Sequence, residues 1–332
     1  MKKIIFFLGC FVSLNAVAQV AEKESQLKNK VADTIPDGWR TGGVIGATFS
    51  QVSLNNWAAG GLSSISLNSM TSFFAHYKKG KNTWDNYLDL GYGIVKQGDG
   101  DFIKSDDKIE FTSKYGRKAS KNWYYAGLAN FRSQFAPGYN FPNDSVLISD
   151  FMAPGYFLGA LGMDYKRGNK LTLFISPLTA KLTVVNNQTL ADQGAFGVDA
   201  AEYQFPNDSI KTKDGSTTRL EYGGYLRAMY TTPVVKNVTF TTNLNLFSNY
   251  AEDPDHIDVN WDNLLSMKVN DFITASVSTS LIYDHDIDIQ ELNDDGSQKL
   301  EDGEPIIGPR TQFKYVIAVG FQYQFGVKDN RE

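Results

Sequence analysis

Residues 310–326, RTQFKYVIAVGFQYQFG, set Phe313, Tyr315, Ile317, Val319, Phe321, Tyr323 and Phe325 at every second position. Gln312, Lys314, Ala318, Gly320, Gln322 and Gln324 fall between them. Period two gives a strand one continuously apolar, aromatic face and one small or polar face. Repeated along a chain, that pattern describes strands with lipid on one side and a watery lumen on the other.

The pattern does repeat. Val238, Phe240, Leu244 and Leu246 alternate with Thr239, Thr241, Asn243 and Asn245. Leu220, Tyr222, Leu226 and Tyr230 oppose Arg219, Glu221, Arg227 and Thr231, and Ile273, Ala275, Val277, Leu281 and Tyr283 oppose Thr274, Ser276, Ser278 and Ser280. Twelve strands are expected, near 39–54, 63–78, 83–97, 105–117, 122–136, 152–166, 170–185, 217–232, 237–250, 257–269, 271–286 and 310–326. Most exceed the ~9–11 residues that cross a bilayer at a tilt. Around Pro177 the apolar phase slips, from Leu171, Leu173 and Ile175 to Leu178, Ala180, Leu182 and Val184. Proline cannot donate to a ladder, so a bulge is expected there.

The connections sort into two kinds. Those at 78–82, 116–122, 167–170, 232–237 and 268–271 are short and rich in lysine and arginine, Lys166 being counted with them. Those at 98–104, 137–151, 186–216, 251–256 and 287–309 are longer or more acidic. Short turns at one end and long loops at the other characterise an outer-membrane barrel, with the turns in the periplasm. Trp39, Trp57, Trp84, Trp123 and Trp261 are expected at strand ends, where amphipathic rings settle at an interface.

The N-terminus fits that destination. Lys2 and Lys3 precede an apolar run from Ile4 to Val12 and the small-x-small site Ala16-Val17-Ala18, which reads as a secretory signal cut near Ala18. A lipoprotein site at Cys10 is the rival, with a shorter apolar run before the cut. Cleavage near Ala18 removes the only cysteine, so no disulfide framework is expected. Loss of the two lysines moves the formal net charge from −5 to −7, against nucleic acid as a partner. The expected organisation is a signal peptide at 1–18, a polar periplasmic leader at 19–38, a barrel at 39–326 and a polar tail at 327–332.

The opening stretch at 38–61, GWRTGGVIGATFSQVSLNNWAAGG, resembles a family of uncharacterised outer-membrane barrels from Bacteroidota. Trp39, Gln51 and the run Asn56-Trp57-Ala58-Ala59-Gly60-Gly61 carry the likeness. Two further blocks agree: Asn86-Tyr87-Leu88-Asp89-Leu90-Gly91-Tyr92-Gly93, and Gly308-Pro309-Arg310-Thr311-Gln312-Phe313-Lys314. The resemblance implies an outer-membrane, porin-like architecture in a Gram-negative envelope and supplies no activity. The last strand is also similar to the barrel-assembly signal of outer-membrane proteins. Gly320, Tyr323 and Phe325 match it, Ala318 stands at its polar position, and six residues follow Gly326.

Candidate chemistry is sparse. Ser72 and His76 share a strand phase, but a hydrolase needs a base within hydrogen-bond reach of its nucleophile and a third group to orient it. No orienting partner stands beside His76 in the sequence, so no catalytic residue is assigned and no enzyme is expected. His256 and His285 are expected to be exposed. Asp284, Asp286 and Asp288 alternate beside a loop where Glu291, Asn293, Asp295, Gly296 and Asp302 follow a calcium-loop spacing. The first and last positions depart from that pattern, so an acidic solvated loop is the competing reading. No other cofactor is expected.

Lys108, Glu110, Lys114, Arg132, Arg219, Glu221 and Arg227 fall in the polar phase, hence inward, because Arg or Lys facing lipid at mid-depth costs roughly 2–4 kcal/mol. Mixed signs either pair and close the lumen or line a narrow polar pore. The sequence thus describes an all-β, antiparallel up-and-down transmembrane barrel of about twelve strands. Its expected partners are outer-membrane lipid, the barrel assembly machinery and a small polar solute that it binds or passes. The alternative is a closed structural barrel that presents acidic extracellular loops.

Overall fold

The computed structural model of this chain describes residues 37–53, 63–140, 143–168, 170–204, 210–252, 254–270, 272–291, 299–301 and 304–326. The expected signal peptide, the leader up to residue 36, the 56–61 run with Trp57, the calcium-loop positions Asn293, Asp295, Gly296 and Asp302, and the tail at 327–332 lie outside the described residues.

Twelve antiparallel strands close into one barrel. They are β1 (Gly38–Val52), β2 (Ser64–Lys79), β3 (Asn82–Gln97), β4 (Ile103–Lys118), β5 (Trp123–Ser133), β6 (Gly155–Arg167), β7 (Leu171–Val184), β8 (Thr218–Val235), β9 (Val238–Asn249), β10 (Ile257–Lys268), β11 (Ile273–Tyr283) and β12 (Gln312–Gly326). Each pairs with its neighbours in sequence, and β12 returns to β1. The β12–β1 pairing closes the ring, as sheet in an apolar medium requires, although only Phe321–Gly326 of β12 pair across that seam.

Alternation sorts the side chains between two environments. On β12, Phe313, Ile317 and Phe321 are 63, 61 and 66% exposed, and Leu220, Tyr222, Phe49 and Phe111 point outward on other strands. The opposite phase is buried although it is polar: Asp89, Asp164, Asn68, Thr183 and Ser276 are all within 2% of full burial. Apolar outside and polar inside inverts a water-soluble protein and matches a barrel in lipid. Trp39 stacks near Tyr77 and Trp84, at 5.1 and 5.7 Å, and Trp123 near Tyr165 at 5.1 Å, so aromatic rings gather at the short-turn end. Trp261 corrects the expectation for tryptophan. It sits inside β10, opposite Leu244 and Leu281, where its indole N–H donates to Thr242 Oγ1 at 2.8 Å.

The bulge appears where the proline requires it. Leu161 pairs with Leu178 and Met163 with Ile175, so Gly162 alone faces the extra residues of β7. On the other side the register shifts again, between Gly223 opposite Thr179 and Tyr225 opposite Ser176. Ser176 closes the kink by donating to the carbonyls of Leu161 and Leu178, at 2.8 and 2.9 Å. A Cβ at position 162 would collide with the Ile175 carbonyl, so only glycine fits opposite the bulge. The β1–β12 seam also needs glycine. β1 meets β12 only between Gly42 and Ala47, and a Cβ on Gly42 would lie 2.7 Å from the Phe325 carbonyl oxygen.

Several strand ends are corrected. β5 stops at Ser133 rather than running to 136, because Asp107 accepts the Phe135 and Ala136 N–H groups at 2.7 and 2.9 Å and turns the chain. β6 starts at Gly155 rather than 152, since Asp150 and Ala153 close a tight turn. β11 ends at Tyr283 rather than 286, as Asp284 Oδ1 accepts the Asp286 N–H at 3.0 Å. The long loops carry structure of their own. Gly138–Asn140 pairs with Asn143–Ser149, Glu202–Tyr203 with Lys211–Lys213, and Asp288–Gln290 with Ile307–Pro309. Between β7 and β8, Val185, Leu190, Ala191 and Val198 bury themselves with Ala153 as a small core over that end of the barrel.

Candidate functional site

The register brings the inward charges into belts at different depths. Toward the short turns, Lys114 on β4 donates to Asp164 on β6 at 2.9 Å. Lys166 lies 3.4 Å from Asp85 and 3.6 Å from Asp164, with its ammonium 5.2 Å over the Tyr124 ring. Asp85 also holds His76 Nδ1 at 3.0 Å. All are inward because alternation fixes each strand's phase: Asp85 faces Lys114 across β3–β4, and Asp164 faces Tyr124 across β5–β6.

Above this belt lies a balanced layer. Lys108 pairs with Glu110 at 2.7 Å, Asp89 accepts from Ser72 at 2.5 Å, and Arg132 stacks 5.8 Å over Tyr156. Nearer the long loops, Lys181 sits 3.0 Å from Asp258, 3.3 Å from Glu221 and 3.9 Å from Asp284. Arg219 bonds Glu252 and Asp286 at 2.8 and 2.9 Å and the Gly197 carbonyl at 3.0 Å. That one guanidinium ties three loops together at the barrel mouth.

Arg227 differs from these. It faces Phe174 on β7 and Asn245 on β9. Among the described residues its side chain forms neither a hydrogen bond nor an ion pair. It lines a cavity of about 40 Å³ together with Lys114, Lys166, Asp164, Tyr87 and Phe174, bounded at the short-turn end by Gly168. Asp164 Oδ1 is fully buried and, among the described residues, accepts no hydrogen bond.

All seven inward residues named from the sequence therefore lie on the inner face: Lys108 with Glu110, Lys114 with Asp164, Arg132 over Tyr156, Arg219 with Glu221 near the mouth, and Arg227 at the cavity. Asp85, Asp164, Lys166, Lys181 and Asp258 were missed. Lys166 is corrected most plainly: counted as a turn cation, it is a lumen residue only 8% exposed. Its phase, two residues after Asp164, was the available signal.

His76 also needs correction, since Asp85 on the neighbouring strand is the orienting partner its own strand lacks. No hydrolytic pair results. Ser72 Oγ donates to Asp89, not to His76. His256 and His285 are half-buried rather than exposed, and their rings stack at 3.6 Å. Asp284 and Asp286 do not project freely, because Lys181 and Arg219 engage them. Asp288 lies in the strand Asp288–Gln290. Among the described residues no group of three or more His, Cys, Asp or Glu is arranged to hold a metal ion.

Closed pairing, an apolar outer wall and a polar lumen define a transmembrane β-barrel of the up-and-down antiparallel class. A family model described as "Protein of unknown function (DUF3078)" matches residues 49–139, from β1 to just beyond β5. No curated protein matches the chain. Among solved structures it is similar to an outer membrane channel from Pseudomonas putida F1, 12% identical over 89% of this chain and 98% of that one, with a TM-score of 0.39. It is also similar to the translocator domain of autotransporter NalP from Neisseria meningitidis, 12% identical over 92% and 95%, TM-score 0.31. A third likeness is to the FrpB iron transporter of Neisseria meningitidis, 11% identical over 89% and 53%, TM-score 0.30. The architecture rests on the strand pairing, not on these distant likenesses.

Proposed function

We propose that this chain is an outer-membrane barrel that binds and passes a small polar solute through a charge-lined lumen. The observation that carries this reading is the cavity at Arg227. Most inner-face charges are spent on one another, yet here an arginine side chain without a partner among the described residues lines open space. Unused polar capacity in a low-dielectric site is costly unless something fills it. The sorted connections, the apolar wall and the expected signal peptide support the outer-membrane setting. The aromatic C-terminal strand supports delivery by the barrel assembly machinery.

Reconstitution in planar bilayers tests the reading. A measurable conductance, altered by Arg227→Ala, is expected; a silent, sealed barrel contradicts it.

The folded loops between β7 and β8 and between β11 and β12 favour a second reading, in which the barrel displays them to a surface partner. Deleting residues 289–306 then abolishes cell-surface adhesion while leaving assembly intact. Unchanged adhesion removes that alternative.

A further inference from the structure

The charges around the cavity do not cancel, and the excess has a chemical meaning. Lys114, Lys166 and Arg227 supply three positive charges, against Asp164 and Asp85. The layer above offers no correction, since Lys108 and Arg132 there face Asp89 and Glu110. One positive charge is left over, and it resides on Arg227, whose side chain has no partner among the described residues.

A guanidinium presents a planar fork of N–H donors that fits a carboxylate in two parallel bonds. The space beside it is small. At roughly 10–15 Å³ for each water in this measure, a cavity of about 40 Å³ takes on the order of three waters, near the bulk of a two-carbon acid. Phe174 and Met229 supply an apolar flank for a short carbon chain.

We infer that the lumen cavity is a binding site for a small monocarboxylate. Its carboxylate is held by Arg227. This deepens the solute reading above and rests on it. One negative charge balances the leftover positive one, whereas an amino acid zwitterion brings a second cation and leaves the excess in place.

The experiment is calorimetric titration of the refolded full-length barrel in detergent with glycolate, acetate, glycine and chloride, alongside bilayer conductance on the same preparation. Glycolate and acetate are expected to bind comparably, with glycine and chloride about tenfold weaker, the one for its ammonium and the other for want of a planar carboxylate. Arg227→Gln is expected to weaken glycolate at least tenfold and Arg227→Lys by less. Both should keep the heat-modifiable gel mobility of a folded barrel, because neither breaks an existing pair. Equal affinity for acetate, chloride and glycolate overturns the inference, as does Arg227→Gln binding glycolate like the parent. Conductance without Arg227-dependent glycolate binding sinks the inference alone. Absence of both conductance and binding removes the solute reading as well.

Discussion

The belts at the two ends of the lumen are built from the same residue types and do different things. Near the short turns, three cations meet two carboxylates, all carried on barrel strands, and a cavity remains among them. Near the long loops, Lys181 and Arg219 meet Glu221, Asp258, Asp284, Asp286 and Glu252, two cations against five carboxylates, and several partners come from loops. The ion pairs of the inner belt are largely buried. The outer belt is a set of guy-lines between wall and loops. The lumen is thus electrically polar along its axis, acidic at the loop end and basic at the turn end. An anion reaching the inner belt is repelled from one side and drawn from the other, the kind of field that selects by charge.

The sharpest way to break this comparison is to remove Asp164, whose side chain is 2% exposed and shared by Lys114 and Lys166. Stranding buried charge costs about 3–5 kcal/mol. Asp164→Ala should therefore lower the urea midpoint of the detergent-folded barrel substantially. A variant as stable as the parent means the inner belt is not a buried network. Arg219→Ala should behave otherwise. Its partner Glu252 is 66% exposed, so the global loss is within about 1 kcal/mol. Trypsin should, however, cut after Lys211 and Lys213 faster once the Gly197 carbonyl loses its donor. Unchanged cleavage rates refute the tethering role.

The smallest effect concerns pH. In the loop between β7 and β8, hydrogen bonds from Lys211, the Gln188 amide and the Gly215 N–H hold the Asp192 carboxyl down to about 2. A depressed carboxyl contributes its full stabilisation above the ordinary aspartate range near ~3.9 and loses it as pH falls through the folded value. The loop should therefore stay resistant to pepsin at pH 3, and Asp192→Asn should make it more susceptible there. Equal pepsin cleavage of both proteins would remove that role for the carboxylate.

Most of the barrel could be read from the chain because alternation is local. Each strand announces its own two faces, and Pro177 announces its own bulge through the phase slip between Ile175 and Leu178. Pairing across strands is not local. Lys166 and Asp85 lie 81 residues apart and meet only because β3 and β6 both pass the same depth of the lumen. Alternation tells which face a residue takes; register decides which partner it finds. Lys181 was legible by the same rule, since the slip at Pro177 sends Leu178, Ala180 and Leu182 to lipid and leaves the lysine in the polar phase. His76 shows the same limit, its partner Asp85 being carried by the next strand. The loops kept their structure hidden for a different reason: the small core of Val185, Leu190 and Val198 needs Ala153 from another loop to complete it.

If the lumen is a solute path controlled at Arg227, as proposed, single-channel recording in planar bilayers will show it. The parent barrel should show discrete conductance steps, and Arg227→Ala should change their size or their preference for anions. A barrel that never conducts, or steps identical in size and selectivity with and without the arginine, contradicts the account.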